Sequence, residues 1–185
     1  MNLSSAMRYD FQNRYFELYF TTATVKGWKH LLKPDKYKQI ITDSMAFLAA
    51  EGSVWVYAFV IMPNHFHWIW QMKSDTSLSG VQQRLMKFVA QQIKFDLQDH
   101  HPLVLEQFKV ARKDRQYQFF KEKPLSIALY TDDVVWQKME YIHRNPVQPP
   151  VRIGTNTGSV RIFVRGILYF ERLQMVIFDT LLVWG

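Results

Sequence analysis

Two histidines one residue apart, His65-Phe66-His67, are the first residues that could do chemistry. In a strand, residues i and i+2 point to the same face, with Cα atoms ~6.5–7 Å apart. Two imidazoles placed so offer a bite for one divalent metal, while Phe66 turns to the other face, into the core. The same pattern also arises as two unrelated histidines on a solvated strand. Its setting favours a purpose: the pair follows a Pro63-Asn64 turn and lies in an apolar stretch, where buried polar groups have to be paired. Tyr141 and Asn145 form the second feature. Four residues apart, they share a face of a helix. A phenol can serve as a covalent nucleophile, and an amide oxygen could complete a two-histidine metal site. The alternative is a core tyrosine, with Asn145 closing the helix before Pro146.

Charge is the third feature. Lys26, Lys29, Lys33, Lys36 and Lys38 gather around the start of one helix. Lys109, Arg112, Lys113, Arg115, Lys121 and Lys123 lie in a later segment against only Asp114 and Glu122. Trp28, Tyr37, Tyr117 and Phe120 interleave with these cations. Such a mixture can track a phosphate backbone while stacking bases, or it can simply be a solvated surface. His30, His100 and His101 read as solvent-facing, and His143 is two residues from Tyr141, so on a helix it points elsewhere.

Composition narrows the classes. A chain of 185 residues makes one domain with a sizeable core. It has no cysteine, which excludes disulfides, thiolate zinc sites and a cysteine nucleophile, and suits a reducing cytoplasm. The net charge of +7 and the sequence pI of about 9.6 favour a polyanionic partner. Aromatic residues at 16% suit base stacking or an aromatic-rich core. No signal-peptide run opens the chain, and no apolar stretch approaches the ~20 residues of a membrane helix, so no membrane partner is expected. Gly-rich phosphate loops and a serine nucleophile elbow are missing.

The elements that would position these residues follow from pattern. Tyr15 to Thr24 reads as a strand. Asp35 is a plausible N-cap for a helix carrying Tyr37, Ile40, Ile41, Met45, Phe47 and Leu48, stopped by Gly52. Val54 to Met62 is a strand apolar on both faces, forming a hairpin with His65 to Met72. Ser74 to Gly80 is a loop. Val81 to Leu97 is a long helix with an expected inner stripe of Leu85, Phe88, Val89, Gln92 and Phe95. Residues 98–113 read as loop, and Gln116 to Phe120 and Leu125 to Tyr130 as short strands. Thr131 caps a last helix to about Arg144. The first six elements give the βαββαβ, ferredoxin-like α+β pattern, with an extra C-terminal helix carrying the tyrosine.

Together these residues resemble a known family. YAFVIMPNHFHWIW resembles the HUH motif, His-hydrophobic-His after a Met-Pro-Asn turn, and YIHRNPV resembles the tyrosine helix of single-tyrosine HUH transposases. The likeness is to the REP-associated tyrosine transposase branch and spans roughly residues 13 to 148, with YFELYFTTATV, KFVAQQIKFDL and RQYQFFKEKPLSIALY in support. It implies a ferredoxin-like sheet carrying the histidine pair. It implies that His65, His67 and Asn145 hold Mg²⁺ or Mn²⁺, and that Tyr141 attacks a phosphodiester to give a 5′-phosphotyrosine and a free 3′-hydroxyl. The implied substrate is single-stranded DNA with a hairpin. Lys26, Lys29, Lys33, Lys109, Arg112, Lys113 and Arg115 are the expected phosphate contacts. Some relatives act as homodimers, and the setting would be the bacterial cytoplasm, at the nucleoid. Decay or domestication would instead leave a non-catalytic single-stranded DNA binder on the same fold.

The chain departs from that family after Gln148. The expected domain is 1–148, and 149–185 is an atypical tail with no assigned role. Relatives continue into a segment resembling Pro-Glu-x-Tyr-x-Phe-Ser-Ser-Ala, and codons for Thr157 to Gly166 permit such residues in a shifted frame. A frameshifted tail is the expectation. Sequencing the gene should reveal an uninterrupted family-like tail in that frame, and its absence would remove the idea.

Overall fold

The computed structural model describes residues 18–73 and 76–145, together with the backbone of 160–164 and 182–184. Strands are β1 (Leu18–Thr24), β2 (Val54–Ile61), β3 (His65–Met72), β4 (Leu125–Ala128), β5 (Val160–Val164) and β6 (Leu182–Trp184). Helices are α1 (Asp35–Ala50), α2 (Leu78–His100), α3 (Pro102–Glu106) and α4 (Asp132–Arg144). The strands form one antiparallel sheet in the order β4-β1-β3-β2-β5-β6. Its first four strands have the 4-1-3-2 order expected of the ferredoxin-like pattern. The first three residues of the expected first strand, 15–17, lie outside the described residues.

Alternation along the strands separates two cores. Phe66, Trp68, Trp70 and Met72 of β3 face α1 and α2, where they meet Tyr37, Ile41, Met45, Leu85, Val89 and Ile93. Ile69 faces the opposite way, with Leu18 and Phe20 of β1 and Ala58 and Val60 of β2, against Val135, Met139 and Ile142 of α4. His65 and His67 share the parity of Ile69, so they belong to the α4 side. A register shift between Val56 and Ala58 switches the parity of β2, so Val54 and Val56 before it and Phe59 and Ile61 after it face the same core.

Several sequence expectations change. The buried stripe of α2 is Val81, Leu85, Val89, Ile93 and Leu97, while Phe88 and Phe95 are exposed and Gln92 is half-buried. A strict i+4 ladder runs down one line of the helix, and the two phenylalanines fall off it. Phe47 of α1 is likewise exposed. Asp35 is the first residue of α1 and not its cap; Pro34 supplies the extended entry, and Asp35 Oδ1 accepts from Lys38 Nζ at 2.8 Å. Residues 98–113 contain the end of α2 and all of α3. Gln116 to Phe120 makes isolated bridges, Val25 to Phe120 and Lys109 to Tyr117, in place of a strand. Thr131 does cap α4, its hydroxyl accepting from the Val134 amide. The tail supplies β5, which pairs along Ala58–Ile61 of β2, and β6 beside it. The other residues of 149–185 lie outside the described residues.

One polar tie joins the helices. Tyr37, buried on α1, donates from Oη to Asp96 Oδ2 of α2 at 2.6 Å, and Lys36 Nζ lies 2.6 Å from the same oxygen. Burial and then that carboxylate bond push the Tyr37 phenol well above its ordinary range. Tyr37→Phe keeps the ring and removes the bond, so we expect a loss of about 1–2 kcal/mol, because Asp96 keeps Lys36. Urea unfolding of the two proteins measures it; equal midpoints would mean water replaces the bond at no cost.

Candidate active site

The site begins at the Pro63-Asn64 turn. The carbonyl of Asn64 accepts from the Val25 amide and that of Pro63 from the Leu32 amide, both at 2.8 Å. These bonds tie the start of β3 to the segment after β1. In the β1–β3 register, Thr24 lies opposite His65 and Thr22 opposite His67. His65 and His67 do share one face, with ring centroids 4.8 Å apart.

Each imidazole is oriented through Nδ1. His65 Nδ1 lies 2.6 Å from Asn64 Oδ1. An amide oxygen only accepts, so His65 carries its proton on Nδ1 and its lone pair on Nε2. His67 Nδ1 lies 2.8 Å from Thr22 Oγ1, the hydroxyl of its cross-strand neighbour. The His67 ring stacks on Phe20, 5.2 Å between centroids. Burial pulls the His67 pKa down to about 3, helped by the neighbouring His65 and by Lys138. Burial also lowers that of His65. Both rings are therefore neutral near pH 7, the form in which imidazole binds a metal.

Helix α4 brings the tyrosine to this pair. Val135, Met139 and Ile142 are buried against the sheet, an i, i+4, i+7 stripe. The flank beside that stripe carries Lys138, Tyr141 and Asn145. Tyr141 Oη lies 3.5 Å from His67 Nε2, at the outer limit of a hydrogen bond, with ring centroids 5.1 Å apart. The Tyr141 ring also stands edge-on to Phe20 at 5.9 Å. The hydroxyl is thus close to the imidazole without being committed to it. Both partners belong to the same chain, 74 residues apart.

Asn145 is buried and caps the C-terminus of α4, its backbone N–H donating to the Tyr141 carbonyl. It stands one helical turn beyond Tyr141, and among the described residues no direct contact joins it to either histidine. Among the described residues no group of three or more His, Cys, Asp or Glu converges. The donors that could hold a hard or borderline divalent cation are two neutral imidazoles and one amide, a set compatible with Mn²⁺ or Mg²⁺ that leaves positions for water or phosphate.

Sequence reading missed four supporting residues. Thr22, Asn64 and Phe20 orient the imidazoles. Lys138 holds Nζ 5.1 Å from the centroid of Phe20 and 5.8 Å from that of Tyr141. Lys138 stands three residues before Tyr141, so helical spacing could have revealed it. Thr22 is visible only through strand register.

The expected basic contacts divide. Lys26, Lys33 and Lys113 are exposed. Lys29 donates from Nζ to the Gln107 carbonyl at 2.8 Å. Lys109 pairs with Glu106, Arg112 with Glu122 and Arg115 with Asp114, all on the surface. Backbone bonds draw the two basic segments together, since Lys26 N donates to Phe119 O at 2.8 Å and Lys121 N to Thr24 O at 2.9 Å. Among the described residues no helix is long and apolar enough to cross a membrane.

An antiparallel 4-1-3-2 sheet, with an imidazole pair on one face and a tyrosine-bearing helix laid over it, defines the class of fold and site. Among solved structures the chain is similar to the REP-associated tyrosine transposase bound to a REP hairpin. The TM-score is 0.52 at 17% identity, covering 71% of this chain and 67% of that one. At that identity the likeness shows a shared fold. A putative transposase from Deinococcus radiodurans R1 aligns with a TM-score of 0.46 at 12% identity, covering 69% of this chain and 88% of that one, too low a score to bear on the fold. No protein-family model and no curated protein matches the chain.

Proposed function

We propose that this protein is a transposase-type DNA strand transferase of the single-tyrosine HUH kind, acting on single-stranded DNA near a hairpin. The observation that carries the reading is the Tyr141 hydroxyl at 3.5 Å from one of two neutral, oriented imidazoles. Its fold is that of a tyrosine transposase bound to a DNA hairpin.

Tyr141 Oη attacks phosphorus. The Oη–P bond forms, the P–O3′ bond breaks, and the phenolic proton ends on the 3′ oxygen. One phosphodiester is exchanged for another, so no nucleotide triphosphate is consumed, and a second 3′-hydroxyl can reverse the step and join strands. His65, His67 and Asn145 would hold Mg²⁺ or Mn²⁺, which when bound supplies Lewis-acid polarisation of a phosphate oxygen. Phe20 and Thr22 hold the His67 ring in place, and Phe20 also bounds the nucleophile's ring. Lys138 adds positive charge beside Tyr141, where the phenolate and the phosphate need it. Lys26, Lys29, Lys33, Lys109, Arg112, Lys113 and Arg115 would contact the backbone; exposed ion pairs are weak and can exchange a carboxylate for a phosphate.

The test is a denaturing gel of protein mixed with labelled single-stranded DNA carrying its flanking hairpins. We expect a covalent protein–DNA band with Mn²⁺ or Mg²⁺ and none with EDTA. Tight binding with no band at any metal concentration would instead support the non-catalytic binder.

A further inference from the structure

Trp28 sits beside the site and has no part in the chemistry above. It is 56% exposed. Its backbone is in the left-handed region, φ +57°, directly after Gly27 at φ +67°. Glycine adopts that conformation freely, but a bulky residue there is strained. Strained backbone under a bulky side chain gathers at functional sites, which directs attention to what this ring faces.

Backbone bonds fix where the ring stands. The Trp28 amide donates to the Val25 carbonyl at 3.0 Å, and the Val25 amide to the Asn64 carbonyl at 2.8 Å. Through these two bonds the turn that carries Trp28 is tied to the turn that starts the histidine pair. The indole stands edge-on to His65, 6.0 Å between centroids. The Lys121 ammonium lies 5.0 Å from the indole centroid. Lys121 is held there by its amide bond to Thr24, opposite His65 in the sheet. An exposed indole, the cation over it and the imidazole beside it therefore adjoin one another.

We propose that Trp28 is a stacking platform for an unpaired nucleobase adjoining the phosphate handled at His65, His67 and Tyr141, with Lys121 turned to a neighbouring phosphate. This rests on the single-stranded DNA reading above. A cation over an exposed ring is held weakly, so a base can displace Lys121 and free its charge for the backbone. Stacking needs only a π-face, so the platform tolerates any base.

The experiment measures binding in EDTA to two probes of equal length, a labelled single strand of thymidylate and a strand of abasic sugar-phosphate. Trp28→Ala should weaken thymidylate binding about 5- to 150-fold and leave the abasic strand nearly unchanged. Trp28→Phe should keep most of the affinity. Lys121→Ala should weaken both probes alike. Circular dichroism checks each fold, and Trp28→Gly, free of the left-handed strain, provides a second ring-less variant. If wild type binds thymidylate and the ring-less variants bind it equally well, the platform is wrong while the DNA reading survives. Equal weakening toward both probes would also overturn it, because the ring would then act through structure. A wild type that binds neither strand would overturn the DNA reading and this inference together.

Discussion

Tyr141→Phe protein will bind single-stranded DNA as wild type does and leave no covalent band. The substitution removes one oxygen and keeps the ring, so the edge-on contact with Phe20 and the packing of α4 persist. The lost contact to His67 Nε2 is long, at 3.5 Å, so the change in stability is small. The change in chemistry is not. Without the oxygen no tyrosyl phosphodiester can form, and cleavage should fall by on the order of 10⁴–10⁶, the scale on which removal of a nucleophile acts. Cleavage that survives Tyr141→Phe would point to water as the nucleophile, and so to a phosphodiesterase. Because Tyr141 and His67 meet within one chain, a mixture of Tyr141→Phe and His67→Ala proteins should stay inactive. Recovered activity would mean that the tyrosine serves the histidine pair of a second copy, the arrangement of a working homodimer.

Replacing His67 by alanine should have the next largest effect, with two readouts. Metal-dependent cleavage should fall by on the order of 10²-fold or more, beyond what loss of a merely supporting residue costs. The second readout needs no DNA. Burial holds the folded His67 pKa at about 3, whereas an unfolded histidine titrates near 6.5. Between those values the unfolded chain binds a proton that the folded chain refuses. Folding stability that is complete above about pH 6.5 therefore drains away as pH falls toward 3, by about 1.4 kcal/mol per pH unit for this group. Urea midpoints in EDTA should show wild type losing stability more steeply than His67→Ala over that window. The variant starts lower, since it loses the Phe20 stack and the Thr22 bond, so the slope and not the level is compared. Equal slopes would mean that His67 takes up its proton as readily folded as unfolded, and the burial-depressed pKa would have to be abandoned.

Much of this arrangement was legible in the sequence because it is local. The alternation His65-Phe66-His67 dictates a shared face in any strand, and the spacing of Tyr141 and Asn145 dictates a shared face on any helix. The order of apolar segments and turns led to the βαββαβ ferredoxin-like pattern with a tyrosine helix beyond it. These follow from backbone stereochemistry, whose period is set residue by residue. Local pattern erred where burial depends on distant partners. Phe88, Phe95 and Phe47 are apolar yet exposed, because the packing faces, a single ladder on α2 and the stripe of Tyr37, Ile41, Ser44, Met45 and Leu48 on α1, pass them by. Gln116 to Phe120 has strand-forming residues, but only isolated bridges tie it to its neighbours.

The site itself was decided by tertiary structure. His67 is oriented by Thr22, 45 residues away, because register between β1 and β3 sets them opposite. Tyr141 reaches His67 because α4 spends its apolar stripe on the face that carries the imidazoles. Trp28 and Lys121 meet beside His65 through backbone bonds among three separate segments. By itself the sequence determined which residue types stood at which spacing, and so which chemistry was available. Which of them meet is a sum over contacts far apart in the chain, and only the packed sheet and helices resolve that sum.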